Sequence, residues 1–209
     1  IKERRISHVE ASDLAAIAGH RALAAAGKRP EDVDLLLIAT CSGDTIIPST
    51  ASRVQDKMGL SNAAAMDINA ACSGFVYGLV TGANMIRGGT HQTVLLIGTE
   101  KLHYLMNTTD RTTCVLFGDG AGAVVLEPSA DDVGLISSEL GMDGSAGKYL
   151  EVPADGTQGE IGRRAPQQCG IAMDGQEVFR RAVTMMAESS QNVLDKAGLG
   201  LEDVAIMIP

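Results

Sequence analysis

The sequence has no basic excess: 17 Lys and Arg stand against 26 Asp and Glu, a formal net charge of -9. Without a positive field to release counterions from phosphates, a general affinity for nucleic acid or for an anionic membrane is excluded. No apolar run reaches the roughly 18 to 20 residues that a spanning helix needs, and no basic start leading into an apolar stretch marks a signal peptide. The chain therefore reads as cytoplasmic; it opens on Ile1, and its true start is expected to lie upstream. Cysteine and histidine are few and scattered. Cys41, Cys72, Cys114 and Cys169 contain no C-x-x-C pair, and His8, His20, His91 and His103 are equally dispersed. Neither a zinc cluster nor a dense disulfide framework is indicated. Tryptophan is absent and Phe and Tyr number three each, yet 45% of the residues are apolar. That is too many for a disordered chain, and the length suits one or two globular domains.

What is present is an alternation of helical and strand-like segments. Ser12 is placed to cap a helix running to Ala26, with Gly27 to end it, and residues 34–40 (DLLLIAT) form a continuous apolar run of the kind found in strands covered on both faces. Pro48 and Ser49 open a second helix that Gly59 stops, residues 65–69 read as a short buried strand, and residues 72–87 read as a third helix before the apolar strand 93–98. Such alternation predicts a mostly parallel sheet with helices on both sides. After Asp110 the pattern changes to two closely spaced strands, 121–127 and 133–140, then a Gly- and Pro-rich loop over 143–170, a long amphipathic helix over 176–197 and a last strand over 204–208.

The chain also matches itself. Ala26-Gly27 followed by Glu31-Asp32-Val33 and an apolar strand recurs, at one constant offset, as Ala197-Gly198 followed by Glu202-Asp203-Val204 and another apolar run. Agreement in element order favours duplication. The second copy stops after one helix and one strand, so most of a second half, with the partner of the Cys72 helix, is expected beyond Pro209. On that expectation the stretch alone folds poorly and does not complete a reaction.

Chemistry concentrates in residues 67–79, DINAACSGFVYGL, which place Cys72 where a buried strand passes into a helix among small residues. Free backbone N–H groups and the positive end of the dipole at a helix start favour a thiolate, and can bring a cysteine pKa down to roughly 3.5 to 7.5. Cys72 is thus the candidate nucleophile, with its own N–H a candidate oxyanion donor; the competing reading is a buried cysteine acting as a small hydrophobe. Cys41, Cys114 and Cys169 lack that setting and read as structural. The run Gly118-Asp119-Gly120-Ala121-Gly122 invites a dinucleotide-binding reading, but its glycines lead into a strand rather than opening a helix. A tight turn beside Cys72 explains them better.

Residues 67–79, with TTDRTTCVLFGDGAGAVVL over 108–126 and MDGQEVF over 173–179, resemble beta-ketoacyl-acyl carrier protein synthase III, a condensing enzyme of the thiolase-like superfamily. The resemblance runs along essentially the whole chain. It implies a thiolase-like α/β fold of duplicated halves in a layered αβαβα arrangement, here 1–131 as the half carrying the nucleophile and 132–209 as the beginning of the second. It implies condensation of an acyl-coenzyme A primer with malonyl-acyl carrier protein through an acyl-cysteine on Cys72, initiating type II fatty acid synthesis in a cytoplasmic homodimer paired along the edge strand 65–69. The family's catalytic His and Asn would follow Pro209, and none of the four histidines present matches them. By motif, Arg111 corresponds to the arginine that packs on the adenine end of coenzyme A, a role suited to a planar cation, against the plainer reading of an Asp110 salt bridge. Met173, Gly175 and Phe179 resemble positions lining the pantetheine tunnel, and Phe117 the wall near the thiol, against ordinary core packing. Ile47 resembles the residue lent to the partner's acyl pocket, where phenylalanine is often found. Coenzyme A enters as substrate; no cofactor and no metal is implied. Three other readings remain beside this one: a related synthase of secondary metabolism with another acyl donor, an inactive fragment, and a non-catalytic interaction module of thiolase-like fold.

Overall fold

The computed structural model of the chain describes residues 6–131, 133–152 and 170–208; Cys169 and positions 153–169 of the expected loop lie outside them. Two units, 1–131 and 132–209, are distinguished and are taken in turn.

The first unit is built on a four-stranded sheet in the order β2-β1-β3-β4, with β1 Leu35–Ala39, β2 Ala64–Ile68, β3 Val94–Lys101 and β4 Asp119–Leu126. β1 runs parallel to both β2 and β3, while β4 joins β3 antiparallel. The uninterrupted apolar run of β1 follows from its burial on both faces. Leu36 and Ile38, with Leu95 and Ile97 of β3, pack against helices α1 (Ala11–Ala26) and α2 (Thr50–Met58) through Ala15, Leu23, Val54 and Met58. Leu35 and Leu37, with Val94 and Leu96, face the other way onto Phe75 and Leu79 of α3 (Gly74–Arg87). Side chains alternate across a strand, so a strand covered on both sides must be apolar at every position.

α3 approaches that second face closely because Gly74, Gly78 and Gly82 form a stripe toward the sheet. A Cβ on Gly78 would stand 2.4 Å from Leu96 Cδ1, and one on Gly82 2.9 Å from Leu126 Cδ1. The same stripe sets the height of the turn that carries Cys72. On the other side, the Asp67 carboxylate of β2 accepts the backbone N–H groups of Thr50 and Ala51 at 2.9 and 2.7 Å, capping α2 from the neighbouring strand. The cap of α1 is not Ser12: Glu10 precedes the helix, and its N–H donates to Asp13 Oδ2 at 3.0 Å. Ser12 lies buried inside the first turn, where its hydroxyl accepts a hydrogen bond from Lys57 Nζ at 2.7 Å.

The second unit contains helix α4 (Gly175–Ala197) and a short antiparallel pair, β5 Leu150–Glu151 with β6 Ala172–Met173. Asp174 caps α4 by accepting the Glu177 N–H at 3.1 Å. Two expected strands are corrected. Residues 133–140 and 204–208 form no ladder, and Ile136 and Ile206 are 75% and 77% exposed. An apolar segment becomes a strand only when a neighbour pairs with it along a ladder, and among the described residues neither segment is part of a sheet.

The internal repeat has a geometric counterpart. Gly27 and Gly198 end α1 and α4 in the left-handed conformation, at φ 66 and φ 68. In each copy the helix's last turn is closed by the next N–H, Lys28 to Leu23 O at 2.9 Å and Leu199 to Leu194 O at 3.0 Å. A 3-10 turn follows, Pro30–Asp32 or Leu201–Asp203, and its aspartate accepts the N–H of the residue that precedes the turn, Arg29 or Gly200, at 2.9 Å in both. The match therefore extends to hydrogen bonding that the shared residues dictate.

Candidate active site

The parallel register of the first unit brings the C-terminal ends of three strands level: Ala39 of β1 stands beside Ile68 of β2 and Gly98 of β3. Ligand sites of open α/β sheets form at such ends. Here β2 continues through Asn69 and Ala70 into a 3-10 turn, Ala71–Ser73, that feeds α3. Ala71 takes φ 45, a left-handed conformation that costs a residue with a Cβ about 1–3 kcal/mol. Asn69 supports it by accepting the Ala71 N–H on its side-chain oxygen at 3.3 Å. This bend presents Cys72 outward, ahead of the first turn of α3.

Cys72 is exposed, which removes the reading of a buried hydrophobe. It lines a cavity of about 230 Å³ with Ala39, Phe75, Gly98, Glu100, Gly120 and Gly122. The glycines 120 and 122 correct a sequence expectation. They do not make a turn but lie within β4, and a Cβ on either would meet no atom within 4 Å. Their lack of side chains leaves the mouth of the cavity open beside the sulfur. A larger groove of about 420 Å³ between α1 and β4 is lined by Leu14, Ile17, Ala22 and Arg21. It holds no nucleophile, so the chemistry points to the smaller cavity.

Two pairings escaped the sequence reading, and the first lies next to Cys72. Glu100 Oε1 accepts the Cys41 N–H at 2.9 Å, and Oε2 accepts the Ser42 hydroxyl and the Cys41 thiol, the latter at 3.5 Å. Removal of its sulfur from water, the Glu100 charge and hydrogen bond, and the charge of Cys72 together push the Cys41 thiol up to about 12. Cys41 therefore remains a neutral thiol at neutral and mildly alkaline pH, because a raised pKa withholds the thiolate until pH approaches that value. Iodoacetamide at pH 7 to 9, followed by peptide mass spectrometry, is expected to label Cys72 well before Cys41. Equal labelling at pH 8 would contradict this assignment. Cys114 is buried, in keeping with a structural role.

The second missed group is a pair at the foot of β4. His103 Nδ1 lies 2.5 Å from Asp119 Oδ2, and the Asp119 side chain is only 1% exposed. Burial opposes the charge of Asp119, but the N–H groups of Ser7 and His103 and the His103 ring overcome it and hold its carboxyl below the usual range. Neither side chain lines the Cys72 cavity. The pair clamps the entry into β4.

The remaining site residues are placed as follows. Arg111 is exposed and forms no ion pair among the described residues; Asp110 instead accepts from the N–H and hydroxyl of Thr112 and the hydroxyl of Thr113. Phe117 is half-buried, and the aromatic ring on the cavity wall is that of Phe75. Ile47, 86% exposed, projects from the loop between β1 and α2. Met173, Gly175 and Phe179 belong to the second unit, in β6 and the first turns of α4, where Phe179 is 72% exposed. No group of three metal-ligating side chains occurs among the described residues, and no helix there is long and apolar enough to cross a membrane.

Residues 66–144, which carry the Cys72 turn and β4, match the family described as 3-Oxoacyl-[acyl-carrier-protein (ACP)] synthase III. A protein of Vibrio cholerae serotype O1 named beta-ketoacyl-[acyl-carrier-protein] synthase III 2 is 44% identical over 209 residues, 100% of this chain and 58% of that protein. Over its whole length the chain is similar to that protein. A synthase III of Listeria monocytogenes is 45% identical over 211 residues, and this chain covers 64% of it. Crystallographic synthase III from Aquifex aeolicus superposes with a TM-score of 0.88 at 39% identity, over 99% of this chain and 63% of that one. The thiolase-like α/β fold class expected from the sequence holds. The chain thus spans about 58 to 64% of the length of these synthase III relatives.

Proposed function

We propose that the protein is a condensing acyltransferase of the synthase III type, and that Cys72 is its acyl acceptor. The supporting observation is an exposed cysteine on a strained turn at the start of α3, opening into a cavity whose glycine-lined side leaves room for a substrate. In this reading the Cys72 thiolate attacks the carbonyl carbon of an acyl-coenzyme A primer. The new carbon–sulfur bond forms through a tetrahedral oxyanion that the Cys72 N–H stabilises, the old thioester bond breaks, and coenzyme A leaves as the thiol. The acyl group is then transferred to malonyl-acyl carrier protein as carbon dioxide departs, giving 3-oxoacyl-acyl carrier protein. The enolate formed in that second step falls to the His and Asn implied by the family resemblance. Arg111 would hold the adenine end of coenzyme A, and Phe117, Met173, Gly175 and Phe179 the path to the sulfur. Ile47 would shape the acyl pocket. Cysteines kept as free thiols suit the cytoplasm.

Incubation with acetyl-coenzyme A followed by mass spectrometry is expected to place one acetyl group on Cys72. Acetyl label on Cys41 or Cys114 in its place would refute the assignment. We also propose a homodimer paired along β2, which forms one edge of the sheet and exposes Met66. An unpaired edge invites pairing, and a two-fold axis would close it. Sedimentation at micromolar concentration is expected to give twice the chain mass, and a monomer would count against it.

A further inference from the structure

We propose that Cys41 and Cys72 form a reversible disulfide driven by peroxide, with Cys72 the thiol that is oxidised and Cys41 the thiol that resolves it. The inference rests on the reading of Cys72 as acyl acceptor only for its consequence, that a crosslinked Cys72 takes no acyl group. Side chains alternate across a strand. Leu35 and Leu37 of β1 and Val94 and Leu96 of β3 face α3, so Ala39 and Gly98 follow on that face, and Cys41 and Glu100 one pleat farther on. Pairing continues past the end of β1, where the Thr40 N–H donates to Ile68 O at 3.1 Å. Cys41 then donates its N–H to Glu100 Oε1 at 2.9 Å and its thiol to Oε2 at 3.5 Å. Cys72 lies on the same face, lining one cavity of about 230 Å³ with Ala39, Gly98 and Glu100. Ala39 and Gly98 put nothing larger than a methyl group between the two cysteines. Both thiols are free and exposed.

The two sulfurs divide the work. Removal from water, then Glu100, then the charge of Cys72 push the Cys41 thiol up to about 12. Peroxide reacts with thiolates, so Cys41 is not the sulfur it meets first. The Cys72 thiolate attacks one peroxide oxygen: a sulfur–oxygen bond forms, the oxygen–oxygen bond breaks, and the departing hydroxide becomes water. Cys72 is now an uncharged sulfenic acid, and one of the three influences that hold the proton on Cys41 has gone. Cys41 Sγ then attacks Cys72 Sγ as its proton passes to Glu100 Oε2, which already accepts it. The sulfur–sulfur bond forms, the sulfur–oxygen bond breaks, and the hydroxide leaves with that proton as a second water. Two thiols and one hydrogen peroxide become one disulfide and two waters. A dithiol reverses the change, whereas a Cys72 oxidised further to the sulfinic acid would be lost. Transient links of this kind are the ones found in reducing compartments.

The test treats the whole chain with hydrogen peroxide and maps its peptides without reductant. The folded chain is expected to give a peptide pair joined through Cys41 and Cys72, lighter by two hydrogens, in a yield about tenfold above that of the urea-unfolded chain, where proximity no longer selects the pair. Dithiothreitol should return both thiols. This readout needs no variant to fold. In Cys41→Ser, dimedone, which captures sulfenic acids, should add to Cys72, and with more peroxide that sulfur should pass to a sulfinic acid that dithiothreitol does not recover. Equal loss of Cys72 to sulfinic acid in the unaltered and Cys41→Ser chains overturns the proposal. So does a link from Cys72 to Cys114 or Cys169 in its place, or a doubled mass without reductant, which would mean a link between copies. Incubation with acetyl-coenzyme A before and after peroxide separates the two claims. Acetyl loading of the reduced chain without the crosslink overturns the disulfide and leaves the acyl-acceptor reading standing. The crosslink without acetyl loading of the reduced chain supports the disulfide and removes the acyl-acceptor reading.

Discussion

Replacement of Cys72 by Ser is expected to abolish acyl loading from acetyl-coenzyme A, with a loss of at least about a thousandfold, as for other enzymes stripped of their nucleophile. Serine preserves the size of the side chain and its place on the turn but supplies no anionic nucleophile near neutral pH. Because Cys72 is exposed and packs into no core cluster, stability should change by less than about 0.5 kcal/mol. The loss would therefore report on chemistry rather than on folding. A time course of adduct formation read by mass spectrometry, with a thermal unfolding curve on the same sample, checks both halves. Acyl label arriving at an unaltered rate on another residue would show that the cavity cysteine is a bystander.

What the sequence made legible was local. The run 34–40 declared a strand covered on both faces, Gly27 and Gly59 ended their helices, and DINAACSG announced a strand-to-helix junction with a cysteine on it. Features that depend on distant partners were not readable. Ser12 looks like a cap because the residue type suits one, yet its hydroxyl is taken by Lys57, 45 residues away. Residues 133–140 have the right composition for a strand, but composition does not supply a ladder partner. Glu100 and Cys41 lie 59 residues apart. They meet because Cys41 stands two positions past Ala39 and Glu100 two past Gly98, and those residues are paired in register. That coincidence becomes computable only once the strand order is known. His103 and Asp119 are nearer in sequence, but a short polar loop and a strand entry gave no periodic signal to link them.

Gly78→Leu is expected to destabilise the first unit and to disable Cys72 by displacement, although the two residues are a turn and a half of helix apart. A Cβ at position 78 would fall 2.4 Å from Leu96 Cδ1, closer than carbon atoms approach, and Leu96 of β3 is fully buried under α3. Leu96 has little freedom to yield, because Leu37 and Val94 of the same cluster confine it. The helix must then rise from the sheet or the leucine leave its rotamer, at about 1–3 kcal/mol for overpacking of this kind. Removing a helical glycine returns about 1 kcal/mol, so the net loss expected is about 1 kcal/mol, up to about 2 for Leu and less for Gly78→Ala. The functional effect should be larger than the stability effect suggests. α3 is continuous with the turn at Ala71–Ser73, and a shift of about 1 Å at a reacting atom can cost a hundredfold in rate. Val76→Leu enlarges an exposed position of the same helix, half open to solvent, and should alter neither property. Urea midpoints and acyl loading rates for the three variants provide the comparison. If Gly78→Leu kept both the midpoint and the loading rate of the unaltered chain, the glycine stripe would not be what sets the height of the Cys72 turn.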